Sequence, residues 1–381
     1  MVIVPVLVPF FMSKGLSLAE IFYLQAVFAT TIVLLEAPSG YFADIFGRRF
    51  ALIIGSVVHG LCYLLLNFAD GFLSLVVFEI TAGVGMSLLS GADIALLYDT
   101  RKALEDDQES DHSRSIAQLG FLKSCAEGIG ALIGGALALY SFDLMVLIQS
   151  VIAWFCLVLA FFIVEPPYKK EGSGLETTRS QLAAILRHLL VDDPVLRRIV
   201  IAIPLYNLAT FQVAWLVQPY WEAQGLSLAV FGVLWFGQSL TMAIASKFGL
   251  EIERRHGAAI ALLLIGILPI LGQFGMAWFQ GWAGIGIGFV LFACRGLNQV
   301  ILVNALNRRV PSEFRATANS FTSFLFRLAF ILTGPVVGYI AEAKGLIIAL
   351  NVLGMSSIGL FLFVMFPLIQ SVKQIQQRAA A

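Results

Sequence analysis

The feature that most constrains this chain is the recurrence of apolar stretches long enough to cross a lipid bilayer. A hydrocarbon core of ~30 Å needs about 20 apolar residues as helix. Such runs fall near 18–39, 50–69, 71–98, 116–140, 142–165, 198–221, 226–250, 258–278, 281–307, 317–341 and 346–369. A twelfth, Val2 to Met12 with Pro5 and Pro9, is shorter, and a helix of that length reaches only about 17 Å. The expectation is that the chosen start cuts this first helix and that further in-frame residues precede it. Composition agrees: 59% of residues are hydrophobic and 13% charged, half the charged share of about 25% in soluble domains. A soluble enzyme and a disordered chain are thereby excluded. The 24 basic and 24 acidic residues cancel, leaving no basic footprint for nucleic acid. In lipid every backbone group must be satisfied within the protein, which favours helices. The expected fold class is an all-α polytopic membrane protein.

Lys and Arg set the orientation, because they concentrate on the cytoplasmic side. With the loop at 40–49 placed inside, Arg48, Arg49, Arg101, Lys102 and Arg114 share its side. The mid-chain basic residues, Lys247, Arg254 and Arg255, Arg308, Arg309 and Arg315, and finally Lys373 and Arg378 join them, while Lys14 and Lys344 alone fall opposite. Both termini are therefore expected in the cytoplasm and the protein in the inner membrane. Trp221, Trp278 and Trp282 then fall near the outer interface, as an aromatic belt would.

The longest polar stretch, 166–197, divides the chain into 1–165 and 198–381, six spans on each side counting the short first one. Within it, Ser180 to Leu190 is amphipathic and reads either as a helix on the inner leaflet or as a plain tether. Internal repetition supports two related halves. The pentapeptide GLSLA occurs at 15–19 and again at 225–229, 210 residues on. Gly130 and Gly134 match Gly334 and Gly338, 204 residues on. Two pseudo-symmetric six-helix bundles are the plan of many secondary transporters.

The segment after the second span reads GYFADIFGRR, Gly40 to Arg49. Its two glycines permit a tight turn and close helix approach. Asp44 is an acid in an otherwise basic loop, able to meet a helix N-terminus or an arginine. Arg48 and Arg49 can hold anionic lipid. Here the chain resembles the major facilitator superfamily, whose signature between the second and third helices is G-x-L-A-D-x-x-G-R-[RK]; only Phe42 departs from it. The resemblance implies the superfamily's twelve-helix fold and alternating access. It also implies a gating role for Gly40, Asp44, Gly47, Arg48 and Arg49, with Asp44 facing Arg315 at the start of the eleventh helix. In the second-half copy, SKFGLEIERRHG, Glu251 stands as the counterpart of Asp44. Where exporters of the family often carry an arginine in the fourth helix, this chain has Glu79, and the fifth-helix exporter pattern survives only as Gly130, Gly134 and Gly135, with Ala131 in the proline position.

Seven ionisable residues fall inside spans: Glu36, Glu79, Asp93, Lys123, Glu127, Arg295 and Arg327. Charges there are costly and are expected to face protein or a water-filled cavity. Helical rise puts Asp93 and Lys123 at similar depth, and Glu127 and Arg295 both near the midplane. Each pair is expected to meet, and Lys123 corresponds to Arg327 at the 204 offset. They read either as structural ion pairs or as the coupling and binding groups of a transporter. Glu127, Asp93 and Glu79, in that order, are the proton-coupling residues. Arg295, Arg327 and Lys123 are the substrate or ion-pair residues.

Four cysteines lie singly in apolar runs, four histidines are dispersed, and neither H-E-x-x-H nor G-x-S-x-G occurs. No catalytic or metal site is expected. Without a G-x-x-x-x-G-K-[ST] loop there is no nucleotide site, so transport must draw on a gradient and no cofactor is expected. The expected function is secondary active transport of a small solute by a monomer, proton-coupled and outward. The alternative is uptake or exchange of an anionic solute held by Arg295 and Arg327.

Overall fold

The computed structural model describes the backbone of residues 1–103, 109–165, 184–311 and 314–380. Most of the central stretch, 166–183, with Lys169, Lys170 and Arg179, lies outside the described residues, as do the side chains of Arg101, Lys102 and Arg114. Among the described residues there is no strand.

The helices are α1 (Leu7–Ser13), α2 (Leu18–Phe46), α3 (Arg48–Leu66), α4 (Gly71–Ala103), α5 (Glu109–Ala138) and α6 (Phe142–Phe162). After a π turn at His188–Asp192 come α7 (Pro194–Ala223), α8 (Leu228–His256), α9 (Ala258–Trp278), α10 (Gly281–Arg309), α11 (Arg315–Lys344) and α12 (Leu346–Leu360). A second π turn, Phe361–Met365, joins α12 to α13 (Phe366–Ala380). Ten helical segments among the described residues are long and apolar enough to cross a membrane; Val4–Ser13 and Cys125–Ala138 are shorter apolar helices. The run at 116–140 lies in the 30-residue α5; the side chains of its residues 116–121 and 124 lie outside the described residues, and Cys125–Ala138 is the described apolar part. Large apolar side chains such as Leu73, Phe162 and Phe363 stand exposed along the helices, the arrangement a lipid solvent permits.

Helix starts fall at a fixed spacing. Leu18 and Leu228 open α2 and α8, Arg48 and Ala258 open α3 and α9, and Gly71 and Gly281 open α4 and α10, each pair 210 residues apart. Glycines with positive φ occupy the same places: Gly15 and Gly225, Gly47 and Gly257, Gly71 and Gly281. From α6 onward, Phe142 and Leu346 keep the 204 spacing of the later glycine match. The 210 spacing pairs Asp44 with Arg254, so Glu251 is not its counterpart.

The chain divides into two compact units, one of residues 1–172 with 227–236, the other of 173–226 with 237–381. In the first, Ser17 and Glu20 form a reciprocal capping box at the start of α2. Asn67 of α3 donates to Ser150 of α6 (2.7 Å), which donates to the Tyr63 carbonyl (2.7 Å). In the second, a core of Leu196, Ile199, Ile203, Leu262, Ile265, Leu297, Ile301 and Leu368 runs through α7, α9, α10 and α13. Ile185 and Leu189 join it, so the apolar side of that short segment packs on protein. Trp221 is 1% exposed and belongs to a core, unlike Trp278 and Trp282, which are exposed.

Asp193 precedes α7 and accepts from the N–H groups of Val195 (2.8 Å) and Leu196 (3.2 Å), while Arg309 in the last turn of α10 donates to its other oxygen (3.0 Å). Partial burial pushes the Asp193 carboxyl up, but the two backbone donors and the Arg309 guanidinium outweigh it and hold the carboxyl below its usual range. Replacing Asp193 with Ala is expected to cost about 1 kcal/mol through the lost cap. A carboxyl whose native value is depressed contributes stability above its unfolded value of about 3.9, and loses that contribution as pH falls through the native one. Melting temperatures of the two solubilised proteins should differ at pH 7 and converge towards pH 3. A gap that does not narrow would contradict this account.

Candidate functional site

The inner signature folds around one residue. Helix α2 continues through Pro38 and Gly40 to Phe46, α3 begins at Arg48, and Gly47 alone joins them at φ +96°. That backbone conformation costs a residue with an L side chain about 1–2 kcal/mol. A Cβ at Gly47 would also meet Glu165 Oε2 at 2.9 Å. Gly40, by contrast, stands inside a helix with open space where its Cβ would be, so the tight turn requires Gly47 and not Gly40.

Glu165, just beyond α6, occupies the N-terminus of α3. Its carboxylate accepts from the backbone N–H of Arg48 (2.6 Å) and of Arg49 (3.2 Å). Arg49 answers by donating through its guanidinium to the Phe161 carbonyl (2.9 Å), in the last turn of α6. An acid thus caps the positive end of one helix and a cation the negative end of its neighbour. Arg48 pairs with Asp44 one turn back, at 3.4 Å. Phe42, the departure from the signature, packs its ring against Phe46 and Phe50 (centroids 4.8 and 5.9 Å) and against the cluster of Ala43, Ala51, Leu52, Ala92 and Leu96. Arg315 lies in the other unit, where its Nε donates to the Asn307 carbonyl near the end of α10 (2.9 Å).

The copy in the second unit keeps the turn and lacks the two arginines that follow it. Gly257 joins α8 to α9 at φ +87°, with no side-chain cap and open space at its Cβ position. Ala258 and Ala259 stand where the first unit has Arg48 and Arg49.

Inside the spans of the first unit, Lys123 of α5 meets Asp93 of α4 at 2.8 Å, as their depth predicts. Glu79 of α4 is 4% exposed and accepts from the Gln25 amide of α2 at 2.8 Å; it is the one carboxylate among the fully buried described residues. Glu127 of α5 is exposed and accepts from Trp235 Nε1 at 3.4 Å. Arg295 belongs to the second unit, where its guanidinium lies over the rings of Phe211 (5.4 Å) and Phe292 (5.8 Å). The Phe211 ring also contacts Trp215, Phe326 and Phe330 edge-on, and Arg327, half-buried, follows Phe326 on α11. Sequence reasoning missed Glu165 and Gln25. An acid directly after an apolar run was the available signal for the first; a lone glutamine in a span carried none.

The model of the Major Facilitator Superfamily matches residues 1–334. The chain belongs to the major facilitator superfamily. It is a multi-pass membrane transporter, not an enzyme. The chain is 20% identical over 291 residues to the quinolone resistance protein NorA of Staphylococcus aureus (strain MSSA476), covering 76% of this chain and 73% of that protein. An uncharacterized transporter of the same type from Burkholderia mallei (strain SAVP1) is 31% identical over 144 residues, 36% of this chain and 33% of that one. Among solved structures, a mutant form of the nucleoside transporter NupG superposes with a TM-score of 0.78 at 12% identity, covering 96% of this chain and 95% of that one. The D-xylose–proton symporter superposes at 0.68 and 14% identity, covering 93% and 90%. These likenesses establish the fold.

Gly47→Ala is expected to lower the melting temperature, while Gly40→Ala, in an open helical position, raises or preserves it through helix propensity. Equal effects would contradict a turn confined to Gly47. Glu165→Ala removes both acceptors at the start of α3 and is expected to cost about 1–2 kcal/mol. Hydrogen exchange at the Arg48 and Arg49 amides should rise in that variant and less in Glu165→Gln; unchanged exchange would contradict the cap.

Proposed function

We propose that the chain is a proton-coupled exporter of small amphipathic solutes in the inner membrane, with both termini cytoplasmic. The observation that carries proton coupling is Glu79, sealed from solvent with a neutral amide as its hydrogen-bond partner. Burial penalises an ionised carboxylate. A transport cycle that opens and closes the surroundings of such a group links its proton to the conformational change. Asp93 already has the Lys123 ammonium beside it at 2.8 Å, whereas Glu79 has a neutral amide. Glu79 therefore leads the three acids, ahead of Glu127 and Asp93, reversing the order that depth alone implies. The likeness to a quinolone resistance protein of S. aureus supports export, and the xylose–proton symporter among the structural neighbours supports protons as the driving ion. The signature segment, with Asp44, Arg48, Arg49 and Glu165, is the gate. The solute is bound near Arg295 and Arg327. Because those arginines also suit a carboxylate or phosphate, uptake or exchange of an anion is the second reading, and the sign of the gradient that drives accumulation separates the two.

In proteoliposomes with an imposed pH gradient, Glu79→Gln is expected to abolish gradient-driven accumulation while sparing downhill exchange. Glu127→Gln should reduce accumulation less, and Asp93→Asn least. Transport by the unaltered protein that ignores the pH gradient would remove the proton-coupled reading and leave anion exchange.

A further inference from the structure

We propose that the second unit binds one phospholipid whose headgroup ends in a primary ammonium, with its phosphate beside Arg308, its ammonium beside Glu253 and one hydrocarbon chain in the apolar pocket beneath them. The inference goes beyond the transport reading and does not rest on it.

The pocket lies at the bundle end where α8 turns into α9 and has a volume of about 300 Å³, room for about ten groups the size of a water molecule. Its wall is graded in polarity. Arg308 in the last turn of α10, Glu253 near the end of α8 and Ala258, the first residue of α9, form the rim. Ile199, Leu262, Ile301 and Leu368, from α7, α9, α10 and α13, form an apolar floor one to two turns further in. Close in sequence to these lining residues, Ile260 and Leu263 of α9 and Phe366 of α13 are exposed, so the pocket borders surface that lipid covers. A charged rim over an apolar floor at the end of a membrane span matches a lipid lying across the interface, headgroup outermost.

The rim charges select the headgroup. Among the described residues neither Arg308 nor Glu253 makes a side-chain hydrogen bond or ion pair, while Arg309 next to them is held by Asp193 at 3.0 Å. A guanidinium fork suits phosphate, and a carboxylate accepts charge-assisted bonds from N–H donors. A headgroup with phosphate alone leaves Glu253 unanswered, and a quaternary ammonium brings it charge without an N–H. Phosphate and primary ammonium joined by a short link answer both residues.

The repeat gives an independent argument for an anion at this place. In the first unit the Glu165 carboxylate sits at the N-terminus of α3 and accepts from the Arg48 and Arg49 amides. At the matching end of the second unit α9 has no side-chain cap, and the residue 204 positions after Glu165 is the apolar Ile369, next to Leu368 of the pocket floor. A lipid phosphate at Ala258 stands where the first unit has its own carboxylate, at the positive end of a helix.

Native mass spectrometry of the purified, delipidated full chain tests this by titration with dioleoyl phosphatidylethanolamine, phosphatidylcholine and phosphatidylglycerol. The ethanolamine lipid should bind its tightest site about threefold or more above the other two. Glu253→Gln should bring it level with phosphatidylglycerol. Arg308→Gln should weaken all three about fivefold. Neither residue is buried, so both variants change the rim without touching the core. Ala305→Leu, which fills the floor, should weaken all three lipids and keep their order. Bound ethanolamine lipid should slow hydrogen exchange at the Ala258 and Ala259 amides, and less so in Arg308→Gln. Excess glycerophosphoethanolamine, the same headgroup without chains, should not displace the lipid. Equal affinity for the three lipids in the unaltered protein, or a preference that survives Glu253→Gln, overturns the proposal. Displacement by the chainless headgroup overturns it too and assigns the pocket to a soluble ligand. No flux enters the measurement, so either result leaves the transport reading standing.

Discussion

Lipid offers no hydrogen bonds, so a helix end or polar side chain within its reach is costly unless protein answers it. The consequences are most visible where helices turn. A helix end leaves several N–H or C=O groups without intrahelical partners, and here side chains of neighbouring helices supply them. Glu165 meets the first amides of α3 while Arg49 meets a last carbonyl of α6. Asp193 meets the first amides of α7 and holds Arg309 at the end of α10. Each arrangement ties one helix end to another across a connection distant in sequence. Each also places its charges at a bundle end.

The same constraint divides the roles of the two units. The first carries acids within its spans, and three of them have a named partner: Gln25 for Glu79, Lys123 for Asp93, Trp235 for Glu127. The second carries Arg295 on an aromatic bed, Arg327 beside it in sequence with Phe326, and amides whose atoms are only partly answered. Repetition accounts for the shared backbone and divergence of charge for the difference. The cation at Lys123 recurs as Arg327, whereas the position 210 residues after Glu79 is Phe289.

Much of this was legible in the sequence because it obeys periodic rules. Apolar runs announced the helices, and GLSLA announced the repeat that the positive-φ glycines carry through. The Asp93–Lys123 pair followed from counting helical rise. What was not legible depended on side chains brought together from distant positions. Gly40 and Gly47 look alike in a motif, yet only a three-dimensional backbone shows that one sits within a helix and the other bears a left-handed turn under a carboxylate. Trp221 has the same sequence context as a belt tryptophan and is a core residue. Depth along a helix ranks Glu127 above Glu79; burial ranks them the other way.

The spacing between the halves has a consequence of its own. From α2 to α4 the second copy keeps step with the first to the residue, and Gly47 and Gly257 are connections of a single residue. Past the start of the fourth helix the copies lose step: the offset is 206 where α5 and α11 begin and 204 where α6 and α12 begin. A one-residue turn cannot absorb a lost or gained residue without rotating the next helix by about 100° and turning its lipid-facing side inward. Bilayer and turn together have worked as a ruler, and the copies lose step only past the helices that such turns join.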